Sequence, residues 1–274
     1  MSGAYYNEID LNAAQWLRNL IAAGHIADGV IDTRSIEDVQ PDDLRGFTQC
    51  HFFAGIGVWS YALRRAGWTD DRPVWTGSCP CQPFSAAGAG DGFADERHLW
   101  PAFCHLIAEC NPSVVFGEQV ASKAVDPWVD LVHADLEALG YAFGCIAFPS
   151  ASVGAPHIRD RLYWVADSIG KGLEKRKSDE RVQCEKVGPY AGEAFKCRGN
   201  ASGVEITEDY WRCFDLLAHR DGKWRPVEPG TFPMAHGIAS RVGRLRAYGN
   251  AINAEAARIF IGSFMEVEMG HDLV

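Results

Sequence analysis

The chain reads as an α/β protein, a layered sheet with helices on both faces and a smaller irregular region attached. Three observations lead there. Short apolar runs alternate with longer amphipathic stretches. Glycine or proline punctuates most of the junctions. From Ser168 to about Ser202 the pattern collapses into Lys, Glu, Gly, Arg and Ser, a composition that cannot bury a core.

The elements follow in order. Thr48 to Gly55 reads as a strand running into a glycine turn, and Val58 to Ala66 as the helix after it. Pro73 to Cys79 is a second strand and Leu99 to Glu109 a second helix. Ser113 to Glu118 is a short buried strand, and Trp128 to Leu139 a third helix. Ala142 to Phe148 and Arg161 to Ala166 are two more strands. Ahead of all these, helical periodicity runs from Ala13 to Ala22. Residues 203–240 are rich in turns and aromatics, and Ala254 to Met265 is a closing amphipathic helix. The expected division is residues 1–167, an irregular region at 168–240, and a return segment at 241–274.

Composition narrows the class. No apolar run is long enough for a membrane span, and Met1 to Asp10 lacks the basic start and apolar core of a secretion signal. Nine cysteines at irregular spacing then read as reduced thiols in a cytoplasmic protein. No quartet of Cys and His has zinc spacing, so no metal is expected. The formal net charge is −10. It is unevenly spread: residues 1–157 carry 8 Lys/Arg against 19 Asp/Glu, and residues 219–246 carry 6 against 2. An acidic body with a basic strip suits a protein that meets DNA along one face. It suits an ordinary acidic enzyme equally well.

Ser78-Cys-Pro-Cys-Gln-Pro-Phe-Ser85 is the most informative stretch. It sets Cys81 at a strand end, before the glycine-rich segment Ala86 to Phe93, where a thiol faces a cleft. Read alone, Cys81 is a nucleophile, a small apolar core residue, or half of a redox pair with Cys79. Phe53-Ala-Gly-Ile-Gly57 follows a strand and opens a helix, so its backbone can approach a ligand closely. Glu118 closes an apolar strand, where burial should raise its pKa and make it a proton-sharing group. His157, Arg159 and Arg161 alternate and are expected to share one strand face.

These motifs resemble those of the DNA (cytosine-5) methyltransferases. The resemblance covers residues 5–166 and 241–265 and implies a Rossmann-like methyltransferase sheet. Pro80-Cys-Gln-Pro-Phe-Ser85 matches the family's nucleophile motif, which makes Cys81 the thiolate that adds to cytosine C6. Glu118-Gln-Val120 stands where the family has Glu-Asn-Val, which assigns Glu118 to N3 of the base. Arg159 and Arg161 match the arginines that hold the cytosine O2, with His157 in place of a glutamine. Phe53, Gly55, Ile56 and Gly57 match the turn that cradles S-adenosylmethionine, with Val58 where another glycine is usual. Pro80, Leu99, Asn250 and Ala251 complete the implied cofactor pocket, although Asn250 also reads as a plain helix cap. The loop from Gln82 through Ser85 to Arg97 would close on DNA. Target recognition would fall in 168–240, where Arg220, Lys223 and Arg225 are candidate DNA contacts, or simply that region's own surface.

Only 22 residues separate Gly57 from Pro80, too few for the family's acidic ribose-binding segment and the strand after it. Tyr6-Asn-Glu-Ile-Asp10 and Val30 to Val39 resemble those missing pieces. A permuted order is therefore expected, with Glu8 on the ribose, Ile9 on the adenine, Ser35 and Ile36 at the adenine edge, and Asp32 as the substitute for Ser35. The resemblance implies a monomer acting on double-stranded DNA, with tRNA methylation, another cytosine C5 modification, or non-catalytic DNA binding as rivals.

Overall fold

The computed structural model describes residues 3–80, 99–123, 125–155, 158–168, 215–218, 224–227 and 251–271. They form two compact units, Met1–Gly170 with Met234–Val274, and Lys171–Pro233.

The first unit is built on seven strands in the order β2-β1-β3-β4-β5-β7-β6. These are β1 (Ala4–Asn7), β2 (Gly29–Asp32), β3 (Gln49–Phe52), β4 (Val74–Gly77), β5 (Val114–Val120), β6 (Ala142–Pro149) and β7 (Asp160–Asp167). β1 pairs parallel with β2 and β3, β3 with β4, and β4 with β5. β7 pairs antiparallel with both β5 and β6. The central strands β3 and β4 are buried at every position, and their buried polar side chains find partners, His51 Nδ1 with Thr76 Oγ1 at 2.9 Å and Gln49 with the Thr69 carbonyl at 3.1 Å. β6, at an edge, alternates between exposed and half-buried positions over most of its length.

One face is covered by α1 (Leu11–Ala22), α3 (Val58–Ala66) and α6 (Ala254–His271). Its core joins Leu17 to Tyr6, and Trp59, Leu63 and Ile261 to Phe116 and Tyr163. The other face is covered by α2 (Pro41–Leu44), α4 (Trp100–Cys110) and α5 (Asp126–Ala138). There Phe52, Trp75 and Trp164 meet Phe103, Trp128 and Leu136. Asp10 caps α1, its carboxylate accepting from the Asn12 and Ala13 amides at 2.8 and 3.1 Å. Asn253 caps α6, its Oδ1 accepting from Glu255 and Ala256.

Gly77 and Gly117 are register partners in the middle of the sheet. A Cβ on Gly117 would lie 2.1 Å from the Trp164 ring, and one on Gly77 2.4 Å from Phe103. Both are glycines because aromatic rings occupy the space a side chain would need.

The crossovers are not all of one hand. β1 reaches β2 through α1 on one face, stepping away from β3. β2 reaches β3, and β4 reaches β5, through α2 and α4 on the other face in the opposite direction. These three share one hand. β3 reaches β4 through α3, which moves in the β3-to-β5 direction but lies on the α1 face. That crossover has the opposite hand, against the strong general preference for a single one.

In the second unit β8 (Asp215–Ala218) and β9 (Trp224–Val227) form an antiparallel pair.

Candidate functional site

The first part of the site lies at the carboxyl ends of β1 and β3, where connections leave in opposite directions and ligands of open α/β sheets bind. Phe53 has φ 51°, Gly55 φ 55° and Gly57 φ 77°. The two glycines serve different ends. A Cβ on Gly57 would sit 3.0 Å from Leu17 and 3.1 Å from Ile26, so Gly57 packs the turn against α1. A Cβ on Gly55 would meet nothing closer than 4.0 Å, so that face of the turn is open. Phe53 packs edge-on to Phe103.

Glu8 follows β1 directly and is pinned to this turn. One carboxylate oxygen accepts from the Gly55 amide at 2.7 Å and the other from the Asp10 amide at 2.8 Å. Burial pushes its pKa up, while the two amides oppose that rise. Ile9 beside it is 68% exposed. The structure thus brings Glu8, Ile9 and the glycine turn together.

At the edge of β2 the side chains are more committed. Asp32 is held by Arg34 at 2.6 Å and by the Tyr5 hydroxyl at 2.7 Å. Those partners overcome its burial and hold the carboxyl down at about 2. Ser35 caps the short helical turn Ile36–Asp38. Its hydroxyl donates to Glu37 at 3.3 Å. Ile36 is buried in the core.

The second part lies at the ends of β4 and β5. The Gly77–Gly117 register sets Ser78 beside Glu118. Glu118 is 8% exposed, and Arg161 Nε donates to its Oε1 at 2.9 Å. Burial dominates and pushes the carboxyl up to about 7, against the opposing pull of Arg161, Arg159 and a hydrogen bond from Ser78. The raised pKa read from the sequence is therefore present. Gln119 Nε2 donates to the Cys79 carbonyl at 3.4 Å and ties β5 to the segment leading to Pro80. Cys79 is buried in the α4–α5 core, where its thiol is pushed far up. It is packed as a core residue.

One expectation is corrected. Arg159 and Arg161 do not share a face by strand alternation, because β7 begins at Asp160 and Arg159 has φ 31°. Ser150 fixes that bend, its hydroxyl donating to the Arg159 carbonyl at 3.1 Å and its amide to the Ile158 carbonyl at 2.7 Å. The Arg159 guanidinium donates to the Ala251 carbonyl at 2.5 Å, joining the segment before α6 to the site. Both arginines still act on Glu118. Leu99 sits at the N-terminus of α4, packed against the core.

Cys81, Gln82, Ser85, Arg97, His157, Arg220, Lys223 and Asn250 lie outside the described residues, as does the side chain of Arg225. Two contributors were missed in the sequence: Ser78, which stands in the quoted motif, and Trp59, one residue into the helix after the glycine turn. Among the described residues there is no metal-binding cluster, and no helix is long and apolar enough to cross a membrane.

Residues 69–187 match the family model for C-5 cytosine-specific DNA methylases. The Type II methyltransferase M.AplI of Arthrospira platensis is 33% identical over 95 residues, covering 34% of this chain and 28% of that protein. M.AluI of Cellulosimicrobium cellulans is 30% identical over 142 residues, 47% of this chain and 26% of that protein. A solved structure of a Spodoptera frugiperda DNMT2 mutant aligns at TM-score 0.42 and 16% identity, over 64% of this chain and 45% of that one. The chain thus spans about a quarter of the length of these two curated relatives.

Proposed function

We propose that the chain, whose residues 69–187 match the family model for C-5 cytosine-specific DNA methylases, transfers a methyl group from S-adenosylmethionine to C5 of cytosine in duplex DNA. The observation that carries this reading is the buried Glu118 carboxyl, pushed up to about 7 beside Arg161 and Arg159. A carboxyl that holds its proton near neutrality can donate it to cytosine N3.

The target base must leave the helix to reach such a site. Glu118 shares its proton with N3 and makes C6 more electrophilic. Arg161 and Arg159 stabilise the charge that develops on O2. The Cys81 thiolate adds to C6, which breaks the ring's aromaticity and turns C5 into an enamine carbon. S-adenosylmethionine, when bound, supplies the electrophilic methyl group. Loss of the C5 proton and departure of the thiolate then restore the ring. The fit of the cofactor rests on the open face of Gly55 and on Glu8 fixed beside it, with lone pairs left for hydroxyls. Ile9, Leu99 and Ala251 would line the same pocket, with Gln82, Ser85 and Arg97 on the DNA side.

The reversed crossover supports a permuted order. Joining α3 to β1 in place of β4 would send that crossover away from β5 on the same face, giving it the hand of the other three. The two N-terminal strands thus sit where strands placed after the glycine turn would sit.

The experiment is nucleoside mass spectrometry of plasmid DNA from methylation-free cells expressing the chain or its Cys81→Ala variant. 5-Methylcytosine with the intact chain alone is the expected result. Unmodified DNA from both overturns the proposal. A different added mass would replace the methyl donor and keep the thiolate chemistry.

A further inference from the structure

The glycine turn and the carboxylate of the proposed catalytic pair belong to different strands, yet a pair of side chains joins them. Trp59 lies in the first turn of α3, two residues after Gly57. Its indole Nε1 donates to Ser78 Oγ at 3.0 Å. The β4–β5 register places Ser78 beside Glu118, where its hydroxyl pulls the carboxyl's pKa down as a hydrogen-bond partner. The indole has a proton to give and no lone pair to receive one, while a hydroxyl has a single proton. Because the ionised carboxylate can only accept, the serine proton goes to Glu118 while the Ser78 oxygen accepts from Trp59. The Trp59 ring is itself fixed, 5% exposed, stacked on Phe116 at 6.1 Å and edge-on to Tyr163 at 6.2 Å.

We propose that Trp59 and Ser78 are positioning residues for Glu118, a one-way hydrogen-bond chain from the helix after the glycine turn to the carboxyl that shares its proton with the base. The chain has two consequences. It fixes the carboxyl from the β4 side while Arg161 fixes it from β7. It also offsets part of the burial that drives the carboxyl towards its neutral form, since a donated hydrogen bond favours the charged form. The role rests on the part given to Glu118 above, so the test reads Glu118 directly as well as through turnover.

The test is a carboxyl titration by NMR on the full chain labelled with 13Cδ-glutamate, with the Glu118 signal assigned through Glu118→Gln. The variants are Trp59→Phe, which keeps the ring and loses the N–H, Ser78→Ala, and the double change. Ser78→Ala should move the Glu118 midpoint upward by about one pH unit, and Trp59→Phe by about half as much. The double variant should match Ser78→Ala alone, because Trp59 acts only through the serine. An unmoved midpoint in Trp59→Phe, or a double variant equal to the sum of the singles, overturns the chain. These readings need no methyl transfer and stand apart from the plasmid experiment. In turnover, the alkaline limb of the kcat profile should move upward in step with the titration. A moved titration with an unmoved limb would overturn the chain's part in catalysis, and with it the proton-sharing role of Glu118.

Discussion

Glu8 and Glu118 are both carboxylates just off the end, or near the end, of an apolar strand, and burial raises both pKa values. Their partners differ. Glu8 is held by two backbone amides, at 2.7 and 2.8 Å, that cannot rotate away or titrate. Glu118 is held by the side chains of Arg161 and Ser78, which can rearrange. Glu118 is also the more deeply buried, at 8% exposure, and reaches about 7. A carboxylate fixed by backbone is suited to hold hydroxyls as an acceptor. One fixed by side chains in a dry site is suited to trade a proton.

The largest expected effect separates the two by kinetics. Glu118→Gln should lower kcat by about 100- to 10,000-fold with cofactor affinity retained. Single-turnover methyl transfer at saturating cofactor measures it, and an unchanged rate would collapse the distinction.

The next effect is in stability. Glu118 is near 7 in the folded chain against a reference of 4.5. Its folded pKa is raised, so its contribution is fully present below 4.5 and lost as pH rises to about 7. The loss is about 3 kcal/mol. Denaturant melts at pH 5 and pH 8 should show it, and Glu118→Gln should remove that part of the pH dependence. Equal slopes in the two chains would mean that the carboxyl is not desolvated.

A smaller contrast concerns the glycines around each carboxylate. Gly117→Ala drives a methyl into Trp164 and should destabilise the fold by about 1–3 kcal/mol. Gly55→Ala meets open space, so its fold cost should be only the left-handed backbone, about 1–2 kcal/mol. Its main effect should fall on cofactor binding. Thermal melts with and without S-adenosylmethionine separate the two.

Smallest is Glu8→Gln, which keeps one acceptor oxygen. It should weaken cofactor binding about 10-fold, or about 1.4 kcal/mol, with kcat at saturation retained. Calorimetry measures it, and unchanged affinity would detach Glu8 from the cofactor and leave the permuted order resting on the reversed crossover alone.

Much of this was legible in the residues. The helix Val58–Ala66 has the bounds its periodicity indicates, because Gly57 and Gly67 close it with left-handed turns. The strand carrying Glu118 was read short, ending at Glu118 where β5 continues to Val120, because β7 pairs with those last residues. The Arg159 bend escaped because the sequence Arg-Asp-Arg alternates perfectly, while the backbone turns under a hydrogen bond from Ser150. Trp59 and Ser78 escaped because neither is unusual in its local pattern, and their meeting depends on two strands and a helix.

By itself the sequence determined the α/β class, the order of helices and strands and the glycine turn, and it marked Cys81, Glu118, Arg159 and Arg161 as candidates. All are local patterns of burial, backbone freedom and residue chemistry within a few positions. Tertiary structure alone decided that Glu8 meets Gly55 across 47 positions, that Arg161 reaches the Glu118 carboxyl, and that one crossover reverses its hand. Those depend on which distant segments pack together, and no local pattern carries that information.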